Sequence, residues 1–210
     1  MTVNVHTQRL SLAGPAGAIE ALRDDPPAGV AQRGTAVIAH PHPLYGGTMQ
    51  NKVVQTLARA FVQAGWSAVR FNFRGVGASA GTYDEGRGET LDLQEVVRTV
   101  APEGALSIAG FSFGAYVACR AAVALWPARP LERLVLVGTA ASRFDVPPLP
   151  AEAQEHTLVI HGEQDDTVPL AAVMDWARPQ TLPVTVIPAG EHFFHGQLPL
   201  LKSLVVRHLR

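Results

Sequence analysis

A serine framed by two glycines, Gly110-Phe111-Ser112-Phe113-Gly114, is the first feature of this 210-residue chain that could do chemistry. A serine hydroxyl is a weak nucleophile at its own pKa. To attack a carbonyl it needs a histidine to take its proton and a carboxylate to orient that histidine. Both residue types follow later in the chain. The segment LVIHGEQDDTVP carries Asp165 and Asp166, and VTVIPAGEHFFHG carries His192 and His195. Spacing alone leaves both aspartates open, keeps His195 beside His192 as a second base, and allows Asp145, past an apolar run ending at Gly138, as a third acid.

These groups need elements that bring them together, and the pattern of the chain supplies them. Residues 105–109 form an apolar run of strand length, and residues 115–125 are alanine-rich and read as a helix. The serine therefore lies on a strand-to-helix turn. Such a turn lifts the hydroxyl out of a sheet, and the flanking glycines let the backbones approach. The free N–H groups and positive dipole end of the following helix face any developing oxyanion. Further strands are read at residues 3–12, 18–22, 35–40, 66–73, 134–138, 156–161 and 184–187, the first two joined by Gly14-Pro15-Ala16-Gly17. Helices are read at 51–64, which Gly65 ends, and at 91–100, 170–177 and 197–209. Strands alternating with helices predict an α/β fold: a mostly parallel sheet covered on both faces, in one domain over residues 1–210. Active groups in such sheets gather at the carboxyl ends of the strands, where Ser112, Asp165 and His192 are all expected.

Several longer motifs complete the pattern: HPHPLYGG from His40, NFRGVGAS from Asn72, HGEQDDTVP from His161 and AGEHFFHG from Ala189. With the glycine-framed serine and the chain order Ser112, Asp165, His192, they resemble the α/β-hydrolase fold family over nearly the whole chain. The resemblance is to a compact, lidless bacterial subgroup of serine hydrolases. It implies Asp165, the aspartate of the H-G-x-x-D-x-x-V-P pattern, as the acid of the triad and His192 as the base. The oxyanion donors expected are the N–H of Phe113, which follows the serine, and an N–H of the loop after residues 35–40. Pro41 and Pro43 have none, which leaves His42 or Leu44, with His42 better placed two residues past the strand end. Only about twenty residues separate Gly138 from the strand at Leu158, with prolines at 147, 148 and 150, too short a stretch for a helical cap. The expected activity is hydrolysis of carboxylic esters of small to medium acyl groups through an acyl-enzyme. Thioester cleavage or acyl transfer by the same residues, and a non-catalytic binding role for the fold, are the alternatives.

Other patterns are set aside. Gly75-Val76-Gly77-Ala78-Ser79-Ala80 fits a dinucleotide fingerprint, but it runs on into Gly81, Gly86 and Gly88 rather than into a helix, so a loop is expected and no cofactor. Arg74 is expected to pair with a carboxylate. His40 and His161 end strands and are expected to bond nearby backbone. His40/His42 and His192/His195 do not make the three or four convergent ligands a metal needs, so no metal is expected. Phe193 and Phe194 read as packing at a helix start, and Cys119 as a small buried residue of a reducing compartment. A net charge of −1 gives no footprint for nucleic acid. MTVNVHTQRLSLAG lacks the apolar core of a signal peptide, and no run of 18 apolar residues suggests a membrane span. A cytoplasmic protein acting on a small-molecule ester is the resulting expectation.

Overall fold

Strands buried on both faces are rich in apolar side chains, and three such segments form the centre of one sheet. The computed structural model describes residues 7–210. The central strands are β3 (Gly34–Ala39), β4 (Trp66–Phe71) and β5 (Leu106–Phe111), and every residue of β4 and β5 is buried. They run parallel to one another and continue in parallel through β6 (Arg133–Val137), β7 (Thr157–Gly162) and β8 (Val184–Ile187). At the other edge β1 (Thr7–Gly14) and β2 (Gly17–Asp24) form a hairpin closed at Gly14 and Gly17, and β2 pairs antiparallel with β4. The eight strands lie in the order β1-β2-β4-β3-β5-β6-β7-β8. The part of the expected first strand at residues 3–6 lies outside the described residues.

Helices cover both faces. The α1 helix (Lys52–Gln63) and α6 (Leu198–His208) pack on one side, where Phe61, Trp66, Phe111, Leu201 and Val205 share a core. The α2 helix (Arg87–Val100) and α3 (Phe113–Leu125) pack on the other, over Phe71, Phe73, Leu93, Ile108 and Val117. Local chemistry fixes their starts. Asn51 Oδ1 accepts the N–H of Val53 at 2.8 Å, capping α1. The fully buried Glu89 carboxylate reaches back to the N–H groups of Asp84 and Gly86, both at 2.8 Å, and draws the start of α2 forward to Arg87 from the expected residue 91.

One short element is added here, and one expectation is corrected. Residues 138–156 hold a four-residue helix, α4 (Ala151–Gln154), that the surrounding prolines conceal in the sequence. The segment around Phe193, Phe194 and His195 is a series of turns rather than a helix start, because the last helix begins at Leu198. The α5 helix (Leu170–Ala177) and β8 lie where the periodicity puts them. The glycine-rich segment from Gly75 is loop as far as Gly86, and Arg74 pairs through both Nε and Nη2 with the buried Asp92, at 2.9 and 2.8 Å.

Candidate active site

The turn from β5 into α3 is tight because its two glycines have no side chain to fit. A Cβ on Gly110 would strike the carbonyl of Gly114, and a Cβ on Gly114 would lie 2.5 Å from the carbonyl oxygens of both Ala39 and His40. Between them Ser112 takes φ 57°, ψ −118°, a backbone state that costs on the order of 1–3 kcal/mol for a residue with a side chain. The strain is held by the Ser112 N–H bonded to Val137 O at 2.8 Å and by the helix that begins at once with Phe113. The serine side chain is thereby turned up from the carboxyl end of the sheet toward the loops that follow β7 and β8.

Those two loops are tied to each other. The Gln164 N–H donates to Gly190 O at 2.8 Å, and the Glu163 N–H donates to Ile187 O at 3.0 Å. The link sets Asp165 beside His192. The Asp165 Oδ2 atom lies 2.7 Å from His192 Nδ1, and His192 Nε2 lies 3.0 Å from Ser112 Oγ. An ionised carboxylate only accepts, so Nδ1 carries the histidine proton and Nε2 is left free to accept from the serine hydroxyl. All three residues are buried. The second oxygen of Asp165 accepts the N–H groups of Thr167 and Val168, at 3.0 and 2.7 Å. Burial pushes the Asp165 carboxyl up, but the hydrogen bonds from His192 and Val168, with the nearby charge of His192 and His161, outweigh it and hold the group below the usual carboxylate range.

The remaining candidates stand apart from this chain. Asp166 is exposed and its side chain meets only the Thr167 hydroxyl, at 3.3 Å. Asp145 is exposed on the β6–β7 connection. His195 pairs with Glu191 and does not face Ser112. His161 is buried against Asp165 and bonds Val168 O through Nε2 at 2.8 Å, so the histidine holds the loop that carries the aspartate. His40 bonds backbone at both nitrogens: Nδ1 to Pro41 O at 2.6 Å, and Nε2 to the Phe73 N–H at 3.0 Å. Burial lowers its pKa to about 4. Among the described residues no group of three or more histidine, cysteine or carboxylate side chains is arranged to hold a metal ion, and no helix is long and apolar enough to cross a membrane.

The loop after β3 bends over the start of α3. Its 3₁₀ turn at Pro43–Tyr45 is capped by the His42 imidazole, whose Nδ1 accepts the Leu44 N–H at 3.2 Å. The Leu44 N–H is therefore already used, whereas the N–H groups of His42 and Phe113 donate to no protein group among the described residues. The His42 ring also meets Phe113, with centroids 5.0 Å apart, and Tyr83, at 4.9 Å. The Tyr83 hydroxyl lies 3.1 Å from His42 Nε2. Tyr83 sits in the glycine-rich loop just after the NFRGVGAS segment but belongs to no motif, and the imidazole contacts of His42 leave no trace in residue spacing.

No protein-family model matches the chain. Its solved relatives include XC6422 from Xanthomonas campestris, a member of the α/β serine hydrolases without a lid. That structure is 40% identical, with a TM-score of 0.87, over 98% of this chain and 94% of that one. An α/β serine hydrolase homologue from Coxiella burnetii is 38% identical, with a TM-score of 0.81, over 97% of both chains. Protein RP471 of Rickettsia prowazekii is 42% identical over 87 residues, a match that spans 40% of this chain and 37% of that protein's length. Fold, topology and 38–40% identity over nearly the whole chain define the class. This chain belongs to the α/β serine hydrolases without a lid.

Proposed function

We propose that the protein is an esterase that cleaves small to medium carboxylic esters through a Ser112–His192–Asp165 triad. The observation that carries this reading is the hydrogen-bonded chain from Asp165 through His192 to a serine held on a strained, glycine-framed turn. In the reaction His192 Nε2 takes the hydroxyl proton as Ser112 Oγ bonds to the carbonyl carbon, and the carbonyl oxygen gains the negative charge. The unused N–H groups of Phe113 and His42 receive that oxyanion, and removal of one such donor costs about 2.7–4 kcal/mol of transition-state stabilisation in enzymes of this kind. The imidazolium, stabilised by Asp165, then gives its proton to the departing alcohol. Water, activated by the same histidine, releases the acid and restores the serine. Pro41 and Pro43, on either side of His42, fix the loop before substrate arrives, which favours preorganisation over closure.

The test is a series of p-nitrophenyl esters from acetate to octanoate, with Ser112→Ala beside the wild type and a fluorophosphonate label read by mass. Turnover and labelling at Ser112 that the variant loses are expected. Equal rates in the two proteins, or no label on Ser112, would overturn the assignment.

A further inference from the structure

The His42–Tyr83 pair carries an inference that rests on the esterase reading and narrows its substrate. The Nδ1 atom of His42 accepts a hydrogen bond from the Leu44 N–H, so it bears no proton. The imidazole is therefore neutral with its proton on Nε2, in line with burial lowering its pKa. That proton points at the Tyr83 oxygen 3.1 Å away, and the tyrosine must be the acceptor. The tyrosine's own O–H proton has no other partner among the described residues. The phenol also stays protonated, since burial and the neighbouring Glu89 and Glu85 push it up to about 12.

The place of this spare donor follows from the proposed reaction. His192 must protonate the leaving oxygen, so the alcohol portion of the ester lies on the His192 side, beside the exposed Phe193. With the carbonyl oxygen toward the N–H groups of Phe113 and His42, the acyl chain leaves on the opposite side. There the rings of His42, Phe113 and Tyr83 meet, with centroids of Tyr83 and Phe113 5.8 Å apart. The buried carboxylate of Glu89 lies near Tyr83 and disfavours a second carboxylate there, while Glu85 is paired with Arg87, which leaves a neutral oxygen as the group to be received. We infer that Tyr83 is a specificity-determining residue: its hydroxyl donates to a neutral oxygen (an ether, hydroxyl or keto group) on the acyl chain, and the favoured substrates are esters of oxygen-substituted acids.

Two near-isosteric pairs of p-nitrophenyl esters test this: methoxyacetate against butyrate, and 3-methoxypropanoate against pentanoate, each corrected for its reactivity toward hydroxide. The tyrosine is replaced by Tyr83→Phe, which keeps the ring against His42 and Phe113. In at least one pair the variant should lose kcat/KM for the oxygen-bearing ester. The matching alkyl ester should lose less, so that the ratio of the two rates falls about five-fold, the size of one neutral hydrogen bond, and an unchanged urea midpoint shows that the variant folds. Equal losses on both members of each pair, or no change on any ester, would overturn the inference while leaving the esterase reading in place. If Ser112→Ala cleaves the alkyl esters as fast as the wild type, the esterase reading fails and this inference falls with it.

Discussion

The Gly114 Cα faces the carbonyl oxygen of His40 so closely that even a methyl group would come within 2.5 Å of it, and of Ala39 O as well. One glycine thus joins the serine turn to the loop whose N–H is proposed to bind the oxyanion. Gly114→Ala is expected to push β3 and α3 apart, to cost about 1–3 kcal/mol of stability by overpacking, and to lower kcat more than it raises KM. Urea unfolding together with ester kinetics measures both effects. A variant as stable and active as the wild type would show that the contact has no such role.

The two neighbouring aspartates should separate sharply. In Asp165→Asn the amide can present an N–H to His192 Nδ1, which favours the tautomer with its proton on Nε2 and removes the acceptor for the serine hydroxyl. The expected loss in kcat is on the order of 10⁴-fold, the effect of this change in a serine protease triad. Asp166→Asn should stay within about two-fold of wild type, because that side chain meets only Thr167. Similar losses in both variants would place the acid elsewhere.

Stability should fall as the solution is acidified, before the carboxylates titrate. His40 ionises near 6.5 in the unfolded chain and at about 4 in the native one. Between those values the unfolded chain binds a proton that the native chain does not, so native stability is complete above pH 6.5 and declines toward pH 4. At about 1.4 kcal/mol per pKa unit the loss from this group is about 3 kcal/mol. Burial also lowers His42, His161 and His208, which act in the same direction. Urea unfolding at pH 7.5 and 4.5 measures the difference, and a His40→Gln variant should show a shallower dependence. An unchanged unfolding free energy would mean that His40 is protonated in the native state.

Cys119 should be silent toward thiol reagents while the protein is folded. It is buried on α3, donates to Pro147 O at 3.3 Å, and burial pushes its thiol up to about 12. Colour from a disulfide reagent is expected only after guanidinium is added. Stoichiometric reaction of the native protein within minutes would contradict the packing described.

Elements whose pattern is local were legible in the sequence. Residues 105–109 and 115–125 marked β5 and α3 because a largely apolar strand and an alanine-rich helix need no distant partner to be recognised. The order of strands was not legible, since β2 adds to β4 through backbone hydrogen bonds that any side chains would allow. The choice between Asp165 and Asp166 depended on the link from Gln164 to Gly190, a contact between two loops that spacing cannot express. Tyr83 lay hidden for the same reason: its meaning comes from the proton on His42, and that proton is set by the Leu44 N–H.

The short connection over residues 138–156 has a consequence for kinetics. Caps that must swing aside before substrate enters set many turnover rates. With only the four-residue helix Ala151–Gln154 in that connection, this chain has no cap to displace there. Its rate should rise hyperbolically with dissolved ester and show no jump when the ester begins to form micelles. In the proposed reaction water is the acyl acceptor, and any other acceptor alcohol must compete with the solvent itself.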